Sequence, residues 1–289
     1  MIPAAGAGEG AGPGVTEPAV LRYTVCGTTL ELAVEDASLR QPLSHLFPTY
    51  QIEVESPEPA SAPAITVSAR GGEYVVHPSE GVPSYCKDSS KLLAVCEFAL
   101  TQAFLAACAS FVQLHASGAV VNGRAVLALG AAGAGKSSLA LSWHRAGHPG
   151  LGDDVVFVDQ QGHAHPFKRL YEVQTDFLAA VGIEPGATCL WEAGSEEAWY
   201  DPGSGAGWAE PAPVSTIAVA RFRHGAKLSI EPLSRTGVLN ALLHSQLPSG
   251  PTPGRRFDSL ARLVEGAQAF EVVFGSAVEA AQAIAEHAG

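Results

Sequence analysis

Apolar and polar positions alternate in short bursts through the first part of the chain and then change period. Residues 21–26 (Leu-Arg-Tyr-Thr-Val-Cys) and 28–34 (Thr-Thr-Leu-Glu-Leu-Ala-Val) alternate on either side of Gly27. A period of two interrupted by glycine predicts a β-hairpin. Further strands are expected at 50–55, 65–69 and 73–76, separated by Pro- and Gly-rich turns. From Asp88-Ser89-Ser90 onward the spacing lengthens: Leu92, Cys96, Ala99, Leu100, Ala103, Phe104 and Ala107 recur every three or four residues. That predicts a helix with a polar start and one apolar stripe, expected to pack against the sheet of the region that follows.

Two more apolar runs, 111–121 and 125–129, flank Asn122-Gly123. Asn-Gly between such runs signals a two-residue turn, because both central positions need positive φ. The second run leads into Gly130-Ala131-Ala132-Gly133-Ala134-Gly135-Lys136-Ser137-Ser138, and residues 137–143 have helical composition that stops before Gly147 and Pro149. Strand, glycine loop and helix are the context that G-x-x-x-x-G-K-[ST] needs to bind phosphate. Small side chains let successive backbone N–H groups turn inward, and the helix N-terminus adds its positive end. Lys136 supplies a point charge for the β- and γ-phosphates, and Ser137 a hydroxyl for Mg²⁺. Residues 130–138 are thus the expected ATP site. Lys136 is expected to be an exposed loop lysine whose removal costs binding and little stability.

Beyond the helix, Asp153-Asp154 head the apolar run 155–158. Adjacent carboxylates repel each other and resist burial, so a nearby cation or a reacting proton is expected, as for a Mg²⁺ ligand or a general base. Asp159, after four apolar residues, is the rival placement for the metal carboxylate, although Asp159-Gln160-Gln161-Gly162 also reads as a turn. His148, His163 and His165 lack the spacing of a zinc site. Lys168-Arg169 suits solvent as well as phosphate. His115 lies in the strand before Asn122-Gly123, where its position alone leaves it structural or catalytic. Residues 186–213, rich in Gly, Pro, Trp and Glu, read as a long loop near the site. Strands are expected at 216–222, 227–230 and 269–274, helices at 234–243, 257–264 and 277–287, and a linker at 248–254.

Charge and cysteine usage narrow the partners. The net charge is −12, from 29 acidic against 17 basic side chains, which argues against nucleic acid and anionic membrane. The apolar stretch at 92–114 is broken by Glu97, Thr101 and Gln102, so no membrane span is expected. Five cysteines cannot all pair, and none stands in C-x-x-C, so a reducing, cytoplasmic setting is expected. The organisation expected is a disordered leader at 1–18, a small β-rich region at 19–86 and an α/β catalytic domain at 87–289. Self-association stays open.

His115, the hairpin, the Gly130–Ser137 loop, Arg145-Ala146-Gly147-His148 and Asp153-Asp154 follow one another as in the HPr kinase/phosphorylase family, which residues 110–160 resemble closely. The resemblance implies a carboxykinase-like P-loop fold for the catalytic domain. It also implies Asp153 as general base, His115 and Asp154 in support, Lys136 on the phosphates, and Ser137 with Asp154 on Mg²⁺. Ala132 stands where the family usually has Ser, Ser138 where it has an acidic residue, and its Glu-Ile-Arg-Gly-Leu-Gly-type signature is absent. The chain is nearer the divergent HPr-kinase-like proteins, some of which phosphorylate peptides made by biosynthetic clusters. The implied acceptor is a Ser or Thr of a peptide or small protein, with a small-molecule hydroxyl as alternative. From a different class, a nucleotide-gated binding protein without phosphotransfer is the rival.

Overall fold

The computed structural model describes residues 19–52, 63–183, 189–190 and 196–288. The leader expected at 1–18 and part of the loop expected at 186–213 lie outside them. Contacts divide the chain into two compact units, Met1–Cys108 and Ala109–Gly289.

In the first unit, β1 (Ala19–Val25) and β2 (Thr28–Val34) form the expected hairpin, turned by Cys26 at φ 48° and Gly27 at φ 75°. A short helix α1 (Arg40–Ser44) and the strands β3 (Gln51–Ile52), β4 (Ile65–Arg70), β5 (Glu73–Pro78) and β6 (Ser84–Cys86) follow. They build one sheet in the order β3-β1-β2-β4-β5-β6. The long helix α2 (Ser89–Ala107) packs on β2, β5 and β6. Its Phe104 ring meets those of Phe47 and Tyr23 edge-on, with centroids 4.7 and 5.8 Å apart. The helix expected to serve the second region therefore completes the core of the first, and the boundary falls after Cys108 and not at 86. An apolar stripe says that a face is buried and not which sheet buries it.

Two cysteines of this unit, Cys26 in the hairpin turn and Cys108 just past α2, are joined in a disulfide, where free thiols in a reducing setting were expected. Cys86 and Cys96 remain buried thiols. Burial first, and then the neighbouring Cys86, pushes the Cys96 thiol up to about 12, which leaves it unreactive at neutral pH.

The second unit is mixed α/β. Its strands are β7 (Val112–Val121), β8 (Arg124–Leu129), β9 (Gly150–Gly152), β10 (Val155–Val158), β11 (His163–Pro166), β12 (Tyr171–Gln174), β13 (Cys189–Leu190), β14 (Glu197–Tyr200), β15 (Ala212–Phe222), β16 (Ser229–Pro232) and β17 (Gln268–Phe274). Its helices are α3 (Lys136–Arg145), α4 (Thr175–Ala180), α5 (Arg235–His244), α6 (Pro253–Gly266) and α7 (Ala277–His287). The main sheet runs β11-β10-β7-β8-β15-β17-β16, with β9 also paired to β7. β8, β15 and β17 are parallel, so their C-terminal ends meet on one side. Ala125 through Leu129 are fully buried, as a central strand covered on both faces requires. Ala125, Leu127 and Leu129 point to the layer of α5 and α6, through Val238, Leu242, Leu260 and Leu263. Val126 and Ala128 point to α3 and α7, where Leu139 and Trp143 meet Ala280, Ala281 and Ile284.

Where described, the stretch expected as a long loop carries strands: β14 pairs with β12 and β13 in a separate three-stranded sheet. Among the described residues no helix is long and apolar enough to cross a membrane.

Candidate active site

The tight β7–β8 hairpin, with Asn122 at φ 50° and Gly123 at φ 77°, delivers β8 to the glycine loop at the C-terminal edge of the sheet. Ala134 N–H donates to Ala131 O at 3.1 Å, which folds the loop into a turn, and Ala131, Ala132 and Gly133 stand exposed at its crest. Gly135, at φ 87°, precedes α3, and among the described residues no side chain caps the helix there. A Cβ at Gly135 would stand 2.8 Å from the Phe274 ring, so only glycine fits both the conformation and the space. The first-turn amides of α3, with Ser137 and Ser138 beside them, thereby present the positive end of a helix, a geometry that suits an anion.

Lys136 departs from expectation: it is buried to 7% exposure. Its Nζ donates to Gly130 O at 3.1 Å and Ala131 O at 3.2 Å, which holds the ammonium across the loop. Burial lowers its pKa, opposed by the charges of Asp154 and Asp153. The loop lysine and the two carboxylates thus share one electrostatic environment.

The short strand β9 and the turn into β10 place those carboxylates. Gly152, at φ 147°, lies where a Cβ would collide with Val155 O, so the chain can double back only at a glycine. Ala116 N–H donates to Asp154 O at 3.1 Å, tying the turn to β7 beside His115. Asp153 is 2% exposed, and its Oδ2 accepts from Glu172 N–H at 2.9 Å. Burial pushes its carboxyl up to about 7, with Arg169 and the Glu172 amide opposing and the charges of Asp154 and Glu172 adding. Asp154 is shifted the other way. Burial raises it, but the His115 hydrogen bond and the charges of His115, Arg169 and Lys136 together bring it below the ordinary range. His115 Nδ1 lies 2.9 Å from Asp154 Oδ1, and Arg169 Nη1 lies 3.2 Å from Asp154 Oδ2. Neighbouring carboxylates whose environments push them apart divide into a proton acceptor and a permanent anion.

Arg169, which the sequence left as readily solvent-facing, is 12% exposed and spans Asp154 and Glu172, with Nη2 3.3 Å from Glu172 Oε2. For Arg169 the sequence left phosphate and solvent equally open, and it meets carboxylates instead; Glu172 was not expected at the site. Asp159 sits elsewhere, in the β10–β11 turn. Its Oδ1 accepts from Gln161 N–H and His163 N–H at 2.9 Å each, and its Oδ2 lies 2.8 Å from His165 Nε2. That carboxylate staples a hairpin.

Among the described residues no group of three or more His, Cys, Asp or Glu side chains is arranged to hold a metal. Ser137 and Asp154 offer hard oxygen donors and nothing softer. Such a sparse set suits Mg²⁺, which keeps waters and phosphate oxygens among its ligands, and does not suit zinc.

No protein-family model matches the chain, and no curated protein matches it. Among solved structures it is similar to the HPr(Ser) kinase/phosphatase from Coxiella burnetii, with a TM-score of 0.31 and 14% identity over 61% of this chain and 95% of that one. A likeness at that level carries no argument for fold or activity.

Proposed function

We propose that this chain is an ATP- and Mg²⁺-dependent phosphotransferase of the P-loop, HPr-kinase-like kind. It would transfer the γ-phosphoryl group to a hydroxyl, first of all a Ser or Thr of a peptide or small protein. A small-molecule hydroxyl is the alternative acceptor. The observation that supports this best is a buried carboxyl poised near neutral pH, Asp153, in the electrostatic field of the lysine of a glycine loop.

Each residue then has a task. The α3 amides and Lys136 take the phosphate oxygens, where an opposite charge away from bulk water counts for more than it does at the surface. Asp153 receives the proton of the acceptor hydroxyl as that oxygen bonds to phosphorus and the bond to the leaving diphosphate breaks. A base with a pKa near the working pH is half free yet still strong enough to take the proton. Asp154, held ionised by His115 and Arg169, would hold Mg²⁺ with Ser137; when bound, the ion offsets charge on the phosphates.

Incubation with ATP, Mg²⁺ and Ser- or Thr-containing peptides or small hydroxyl compounds, followed by mass spectrometry, should show an acceptor gaining one phosphate. Asp153→Asn should lose about a hundredfold or more in transfer, and Lys136→Ala most of it. Full transfer by Asp153→Asn would remove the base assignment. Partner affinity that depends on nucleotide, with no phosphate gained by any acceptor, would replace the kinase by a nucleotide-gated binding protein.

A further inference from the structure

The exposed aromatic residue Phe222 borders the glycine loop on the side away from the carboxylates. Single exposed apolar side chains are ordinary on protein surfaces. Phe222 differs in being tied to the loop. Its N–H donates to Ala134 O at 3.2 Å, and the next residue, Arg223, donates its N–H to Phe274 O at 2.9 Å. A Cβ at Gly135 would stand 3.4 Å from Phe222 Cβ, so the ring springs from the rim of the phosphate site itself. Phe222 is 45% exposed, whereas its neighbour Phe274, with ring centroids 5.9 Å apart, is fully buried. Phe274 fills the core, and Phe222 meets it at a 60° tilt and remains largely open to solvent.

The direction of a bound nucleotide follows from the strand order. β7 lies on one flank of β8 and carries His115, with β9, β10 and Asp153-Asp154 beside it; β15 and β17 lie on the other. A triphosphate whose γ end points to the carboxylates sends its nucleoside end toward the C-terminal ends of β15 and β17, where Phe222 stands. Ligands of such sheets lie beyond the carboxyl ends of the strands. The charge at that rim agrees. Arg223 and Lys227 are exposed in the turn that follows, in a chain whose net charge is −12.

The geometry points to Phe222 as the stacking platform for the base of the nucleoside triphosphate, with Arg223 and Lys227 lining the approach. This rests on the phosphate-loop reading above. An aromatic face takes any base by stacking, so Phe222 contributes affinity for the nucleoside in addition to what the loop contributes for phosphate.

Calorimetry of the parent, Phe222→Ala and Phe222→Tyr with ATP and with inorganic tripolyphosphate, each with Mg²⁺, separates the two. Phe222→Ala should weaken ATP about tenfold and leave tripolyphosphate and the melting temperature unchanged, while Phe222→Tyr restores ATP. Undiminished ATP binding by Phe222→Ala overturns the stacking role, as does equal weakening of both ligands, which would mean that the ring only shapes the loop. If the parent binds neither ligand, the phosphate-loop reading itself fails and the stacking role goes with it. If the parent binds both with equal affinity, the loop stands and the base site does not.

Discussion

Asp153 holds an ionisable group at 2% exposure, and its pKa of about 7 in the folded protein stands against an ordinary value of 3.8. Between those values the folded chain binds a proton that the unfolded chain does not, so this residue favours folding most in acid. The contribution falls as pH rises through that window and is gone above about 7. Asp153→Asn should therefore be more stable than the parent at alkaline pH, by on the order of a few kcal/mol, and melt higher, with the gap closing toward pH 4. Melts across that range in buffer free of divalent cations check it; a variant no more stable than the parent in alkali would show that the carboxyl is not strained by burial. Asp153 and Lys136 were both singled out in the sequence as candidates, by their neighbours and spacing, and the structure brings them into one electrostatic environment. That Lys136 is buried and that Arg169 folds onto Asp154 were not, since a basic residue reads the same whether it faces water or, as Arg169 does, a carboxylate 15 positions away in the chain.

The hairpins turned by Gly27, by Asn122-Gly123 and by residues 159–162 stand where local turn chemistry put them, as do the helices α3, α5 and α7. The sheet β12-β14-β13 was missed for a physical reason. Its apolar positions, Tyr171 and Val173 on one strand and Ala198 and Tyr200 on another, occupy strands of four residues, too short to show a period. The polar atoms under that sheet are unusual. His144 on α3 is 3% exposed, and neither ring nitrogen has a hydrogen-bond partner among the described residues. The rings of Tyr200 and Tyr171 stand 5.7 and 6.4 Å away. Burial, and then Arg145, lowers the His144 pKa below 6.5, with Asp201 opposing. Below 6.5 the unfolded chain takes up a proton that folded His144 refuses, so stability falls as pH drops through that window. His144→Phe should remove that part of the acid sensitivity and melt no lower than the parent at neutral pH, because the lost nitrogens were unpaired. Parallel melting curves of the two proteins from neutral to mildly acid pH would sink the idea.

At the scale of the molecule, the presence of a β-rich leading region and an α/β region with a glycine loop was readable from pattern alone. The position of the division was not, because α2 carries the same apolar stripe whichever sheet it covers. Nor was the cysteine pairing, for an odd count leaves open which two of the five come together, and the two that do stand 82 positions apart. The Cys26–Cys108 bond turns the chain from Cys26 to Cys108 into a covalent ring. One cut by a protease anywhere inside it should leave a molecule that migrates as a single intact species on a denaturing gel until a thiol reductant is added, and as two fragments afterwards. Two fragments without reductant would mean an open ring. A closed ring makes the first unit a lasso of chain whose knot is chemical, so the redox state of its surroundings decides whether a nick there is silent or severs the protein.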